Sequence, residues 1–216
     1  MVLLISPSFV AVSLAALLAA PAQGLQTSKP DAKAEARAAM LRAPGIDTPF
    51  NQADVDFMQG MIPHHAQAVK MGRWAPTRGS NKQLLVLCER IVVGQRDEIN
   101  MMRQWLSDRG QEVPAADAMR HKMKMGDMVH EMLMPGMLTD EEMTALEKAR
   151  GKEWDRLFLI GMIKHHEGAI KMVDELMNTR GGATGDDMFK FASDVFADQS
   201  TEIEVMKQML AAIKGE

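Results

Sequence analysis

Residues 54–71 read DVDFMQGMIPHHAQAVKM, and residues 155–172 read DRLFLIGMIKHHEGAIKM, with Asp, Phe, Gly, Met, Ile, His-His, Ala, Lys and Met at matching places. A second segment is duplicated with the first. Gln95, Glu98, Ile99, Met102, Gln104 and Leu106 recur in order as Gln199, Glu202, Ile203, Met206, Gln208 and Leu210. Each half therefore reads as helix, connection, helix. Turning the first copy by about 100° per residue places Phe57, Met58, Met61, Ile62, Ala68, Val69 and Met71 in one apolar arc about half the circumference wide. His64 and His65 fall inside that arc, while Asp56, Gln59, Gln67 and Lys70 fall opposite. The paired imidazoles are predicted to face the core, as are His165 and His166 in the second copy.

Working outward, the first helix opens near Asn51, where Asp54 and Asp56 suit the positive end of its dipole, and runs to about Met71 with a kink expected at Pro63. Residues 76–80 read as a turn, and 81–108 as a helix stopped at Gly110. Thr139 with Glu142 forms a capping-box pattern opening a short helix to Arg150. A third long helix follows over 152–177. Gly181, Gly182 and Gly185 mark a loop, and Thr184, Asp186 and Asp187 open a last helix to about Ile213. The fold class is all-α, an antiparallel four-helix bundle built from two helical hairpins. It occupies residues 50–216 as one domain, with halves 50–110 and 152–214 and a Met-rich connection over 111–151.

No charge precedes Lys29, and residues 9–20 form a short apolar run ending in Ala20-Pro21-Ala22. This is a secretory signal pattern, with residues 1–22 removed and 23–49 left as a flexible leader. The run is shorter than the roughly 20 residues of a spanning helix, so no membrane span is expected after cleavage. Export places the chain in the periplasm or otherwise outside the cytosol. A net charge of -4 leaves no nucleic-acid footprint. Cys88 is the single cysteine, on one helical face with Ile91, Gln95 and Met102, and reads as a small buried hydrophobe.

The 21 methionines outnumber 7 Phe, 3 Trp and 0 Tyr together, so thioethers take much of the place aromatics usually fill. Between 111 and 138 stand Met119, His121, Met123, Met125, Met128, His130, Met132, Met134 and Met137, without a helical stripe, which reads as a flexible loop whose Met and His side chains are candidate metal ligands able to recruit ions without a fixed cage. Within the bundle, His64, His65, His165 and His166 would approach each other beside Met61, Met71, Met162 and Met172. Gln95, Glu98, Gln199 and Glu202 would face them, with Met102 and Met206 one turn further on. Two readings stand: a hydrogen-bonded network in which Glu98 and Glu202 orient the imidazoles, and a metal site. Thioether and imidazole together suit Cu(I), imidazole also suits Cu(II), and silver would mimic Cu(I).

The twin MI-x-HH motifs, the Q-x-x-E-I-x-x-M segments at Gln95 and Gln199, and MPGMLTDEEMTAL over 134–146 resemble the exported ferritin-like family catalogued as domain of unknown function three hundred and five. The resemblance covers about residues 50–213. It implies a four-helix bundle, export, and copper or silver binding linked to metal resistance. Metal ions and other periplasmic copper-handling proteins are the expected partners. It implies no catalytic activity.

Two other classes compete with it. A di-iron redox enzyme needs Glu-x-x-His on two helices and a Glu on each of the others, whereas His-His stands here. A metal-free helical interaction module is the second alternative.

Overall fold

The structure is a computed structural model that describes residues 49–125 and 128–214. The expected signal segment and all but the end of the leader lie outside the described residues. Helix α1, Gln52–Arg73, starts where Asn51 accepts the N–H groups of Ala53 and Asp54, while Asp54 accepts the Asn51 N–H at 2.9 Å. This reciprocal cap satisfies donors that every helix start leaves open. The helix remains continuous through Pro63. The turn expected at 76–80 is instead mostly helical: α2, Ala75–Arg78, has a proline in its first turn, where the missing N–H costs nothing. Asn81 then caps α3, Lys82–Asp108, and Gly110 follows in the left-handed region at φ 64°. The Thr139–Glu142 capping box opens α4, Asp140–Lys148. The other long helices are α5, Gly151–Asn178, and α6, Asp186–Lys214.

The Met-rich connection corrects the expectation of a flexible loop. Strand β1, His121–Met125, pairs antiparallel with β2, Met128–Met132, setting His121 opposite Met132, Met123 opposite His130 and Met125 opposite Met128. Met119, His121, Met123 and Met125, then Met128, His130, Met132 and Met134, stand at every second position. That is the period of a strand, which a search for helical stripes does not register.

Helix α1 packs on α3, α5 packs on α6, and α1 against α5 joins the two hairpins. Cross-ties follow the duplication. Asp54 of α1 accepts the Ala183 N–H, in the loop of the second hairpin, at 2.7 Å. Its counterpart Asp155 of α5 accepts the N–H groups of Ser80 and Asn81, in the loop of the first, each at 3.0 Å. Both aspartates are buried, so each replaces lost hydration with backbone donors from the opposite half.

Two apolar clusters fill the bundle. One contains Met61, Met102 and Met172, and the other contains their repeat counterparts Met162, Met206 and Met71. The paired histidines lie in the chain between the segments that feed these clusters. Cys88 is buried, and burial pushes its thiol pKa far up, as suits a core hydrophobe. Among the described residues no helix is long and apolar enough to cross a membrane.

Gln67 departs from the helical-arc reading, which placed it on the solvent side. It is buried because residues 134–138 lie across that side as a strap. Gln67 donates to the Leu138 carbonyl at 2.9 Å and accepts the Leu138 N–H at 2.7 Å. The second-copy counterpart of Gln67 is Gly168, where a Cβ would collide with the Pro135 carbonyl. Gly168→Ala should therefore destabilise the protein by about 1–3 kcal/mol through overpacking. Gly94, in α3 with open space around it, is the control: Gly94→Ala should stabilise by up to about 1 kcal/mol. Urea denaturation of both variants checks the opposite signs.

Candidate metal centre

His64, His65, His165 and His166 are all fully buried, at 0% exposure. His64 and His165 meet across the α1–α5 contact with ring centroids 3.8 Å apart and planes tilted 42°. On one side His65 Nε2 lies 2.8 Å from Glu98 Oε2, and on the other His166 Nε2 lies 2.8 Å from Glu202 Oε2. Both carboxylates orient imidazoles, as the sequence pattern predicts. His64 Nε2 lies 3.0 Å from the Pro135 carbonyl oxygen, a partner supplied by the strap that the helical pattern could not show.

The partners fix the tautomers. A carbonyl or a carboxylate can only accept, so neutral His64, His65 and His166 carry their proton on Nε2 and leave Nδ1 as a lone pair. Each of those Nδ1 atoms is buried without a hydrogen-bond partner, as are both nitrogens of His165 and the side-chain amides of Gln95 and Gln199. Buried polar atoms are ordinarily satisfied, and this concentration of unmatched donors and acceptors makes the layer a candidate site for a bound ion. The carboxylate–histidine arrangement with its second nitrogen free is also how metal-ligating imidazoles are held.

Electrostatics keep the central pair neutral. The pKa of His64 is held well below the usual imidazole range, first by burial and then by His65. His165 is held low by burial and then by His64. Lone pairs are thus available near neutral pH. Among the described residues no three His, Cys, Asp or Glu side chains are arranged to hold an ion alone. An ion at this layer would need sulfur as well. Met61, Met71, Met102, Met162, Met172 and Met206 are the buried thioethers from the same helices, with Met61 and Met162 one turn before a His pair and Met102 and Met206 one turn after Glu98 and Glu202. Met58, Met101 and Met188 are buried in the first cluster too, and a count of apolar positions alone could not separate them from packing residues.

The remaining candidates lie elsewhere. Met119 packs half-buried against both clusters. His121 is buried at the hairpin base, and Met128, His130 and Met132 are exposed. Met123 and Met125 hold strand positions opposite His130 and Met128. Met134 and Met137 belong to the strap, where Met137 Sδ accepts the Met134 N–H at 3.3 Å.

The fold and this layer define a four-helix bundle whose core carries duplicated His–Glu pairs and two methionine-bearing apolar clusters. The chain belongs to the DUF305 family, a domain of unknown function, whose pattern matches residues 54–210. It is similar to a DUF305 protein of Streptomyces coelicolor described as a candidate secreted protein, at 28% identity and TM-score 0.63, covering 75% of this chain and 94% of that one. It is similar as well to CopM in its Cu(I)-bound form, at 27% identity and TM-score 0.56, covering 76% of this chain and 98% of CopM. CopM is also known with silver and with Cu(II) bound. An uncharacterized protein of Acanthamoeba polyphaga mimivirus is 36% identical over 56 residues, which span 26% of this chain and 37% of that protein.

The neutral pair has a consequence for the metal-free protein. Unfolding returns His64 and His165 to an ordinary pKa of about 6.5, so below that pH the unfolded chain binds protons that the folded chain refuses. Stability is then expected to fall with pH by up to about 1.4 kcal/mol per unit for each histidine. Urea denaturation between pH 7.5 and 5 measures this, and the double variant His64→Gln, His165→Gln should show a flatter fall.

Proposed function

We propose that this chain is an exported copper-binding protein that also takes silver, serving sequestration, delivery or resistance without catalysing a reaction. The observation that carries this reading is the set of four buried Nδ1 atoms without partners, on helices that also carry repeat-related buried methionines. Two quasi-equivalent sites follow from the duplication. One would join the His65 Nδ1 lone pair to sulfur from Met61, Met102 and Met172, and the other would join His166 Nδ1 to Met162, Met206 and Met71. His64 and His165 lie between them. Imidazole with thioether favours Cu(I) and Ag(I) over hard cations and suits a compartment where thiols oxidise. Export rests on the signal pattern and agrees with the description of the Streptomyces coelicolor relative. The bound ions of CopM support the choice of metal. Other copper-handling proteins outside the cytosol would be its partners.

Catalysis has little support in the site. Glu98 and Glu202 are each engaged by a histidine, the Glu-x-x-His ligands of a di-iron centre are missing from the sequence, and the Cys88 thiol is held protonated by burial.

Anaerobic titration of the full chain against a Cu(I) chelator should show at least two ions held within the bundle, with Zn(II) and Mg(II) unable to compete. The triple variant Met61→Leu, Met102→Leu, Met172→Leu keeps most apolar volume, at roughly 1.5 kcal/mol or less per site, and should lose one of the two. Unchanged copper capacity in that variant, or iron as the sole metal in protein purified from copper-fed cells, would contradict the proposal.

A further inference from the structure

The buried layer has no exposed imidazole, so an ion has to reach it through the protein, and the two halves differ in what covers them. Gly60 and Gly161 are repeat counterparts, one turn before each His pair, and each leaves a notch on its helix. At Gly60 a Cβ would meet Met134 Cε at 2.7 Å, Met134 Sδ at 3.4 Å and Met172 Cε at 3.4 Å. A thioether from the strap thus sits in that notch beside a thioether of the first cluster. At Gly161 a Cβ would meet Leu138 Cδ2 at 3.0 Å and Cδ1 at 3.5 Å. The same strap fills the second notch with an isobutyl group that has no lone pair to offer. Met134 also continues the strand of soft donors: Met128 is 64% exposed, Met132 is 42% exposed, and Met134 is half-buried against the first cluster.

Resting on the two-site reading above, we propose that β2 and Met134 form a one-sided access route for Cu(I) or Ag(I), leading from solvent through the Gly60 notch to the site beside His65, while Leu138 closes the corresponding way to the site beside His166. Soft ions move between thioethers by ligand exchange, one sulfur binding as another leaves, with no change in oxidation state. Exposure falls from Met128 to Met132 to Met134, so donors at alternate positions lead from solvent to the edge of the first cluster. The duplicated sites are therefore filled in order, the His65 site first.

Ag(I), which is diamagnetic, tests this in the full chain through time-resolved NMR of the imidazole signals of His65 and His166. His65 should respond first, and Met134→Leu should slow its response at least tenfold relative to His166. Met132→Leu, at an exposed hairpin position with little bearing on folding, should slow it in the same direction. Leu138→Met should speed the response of His166. Equal rates for the two histidines in the unsubstituted chain, or a His65 rate indifferent to Met134→Leu and Met132→Leu, would overturn the route while leaving the two sites intact. Silver that shifts neither histidine would overturn the sites and the route together. Access beside Glu202, whose side chain is 18% exposed, would appear as His166 responding first and would overturn the proposed order.

Discussion

Four imidazoles without contact to water set the terms for the rest of this structure. Each has two nitrogens to satisfy, and the fold supplies one partner to three of the rings through Glu98, Glu202 and the Pro135 carbonyl. Burial keeps His64 and His165 uncharged, which lets two rings approach at 3.8 Å without repulsion between cations. The unmatched Nδ1 atoms carry a desolvation cost of roughly 1–3 kcal/mol each, which a fold selected for stability alone would remove by placing apolar residues there. A soft ion bound by these lone pairs would offset that cost, coupling occupancy to stability.

Duplication explains how such a layer is positioned. Asp54 and Asp155 tie each hairpin to the loop of the other, so the His pairs arrive at the shared centre from both sides. The thioethers obey the same relation, with Met61, Met102 and Met172 matched by Met162, Met206 and Met71. Symmetry ends at the single connection, since residues 134–138 can lie across the bundle only once. That strap gives His64 a partner that His165 lacks, and it puts sulfur at Gly60 and carbon at Gly161.

The helices and the inward histidines were legible because 3.6-residue periodicity, start signals at Asn51 and Thr139, and the repeat itself are local in sequence. Glu98 and Glu202 were legible as imidazole partners for the same reason, since only repeated inward carboxylates could serve. The hairpin was present as a two-residue alternation of Met and His, hidden by reading the stretch only for helical stripes. Gln67 and Pro135 were beyond that reach. Their roles arise from a strap more than sixty residues away from Gln67 in the chain, and no local pattern records which side of a helix a distant segment will cover.

The central claim is that buried imidazole and thioether groups together hold a soft ion. X-ray absorption at the copper edge of the Cu(I)-loaded full chain addresses it most directly. The account predicts a mixed shell at copper, with imidazole nitrogen and thioether sulfur both present and oxygen missing. A shell of nitrogen and oxygen without sulfur, or of sulfur without imidazole, would contradict it.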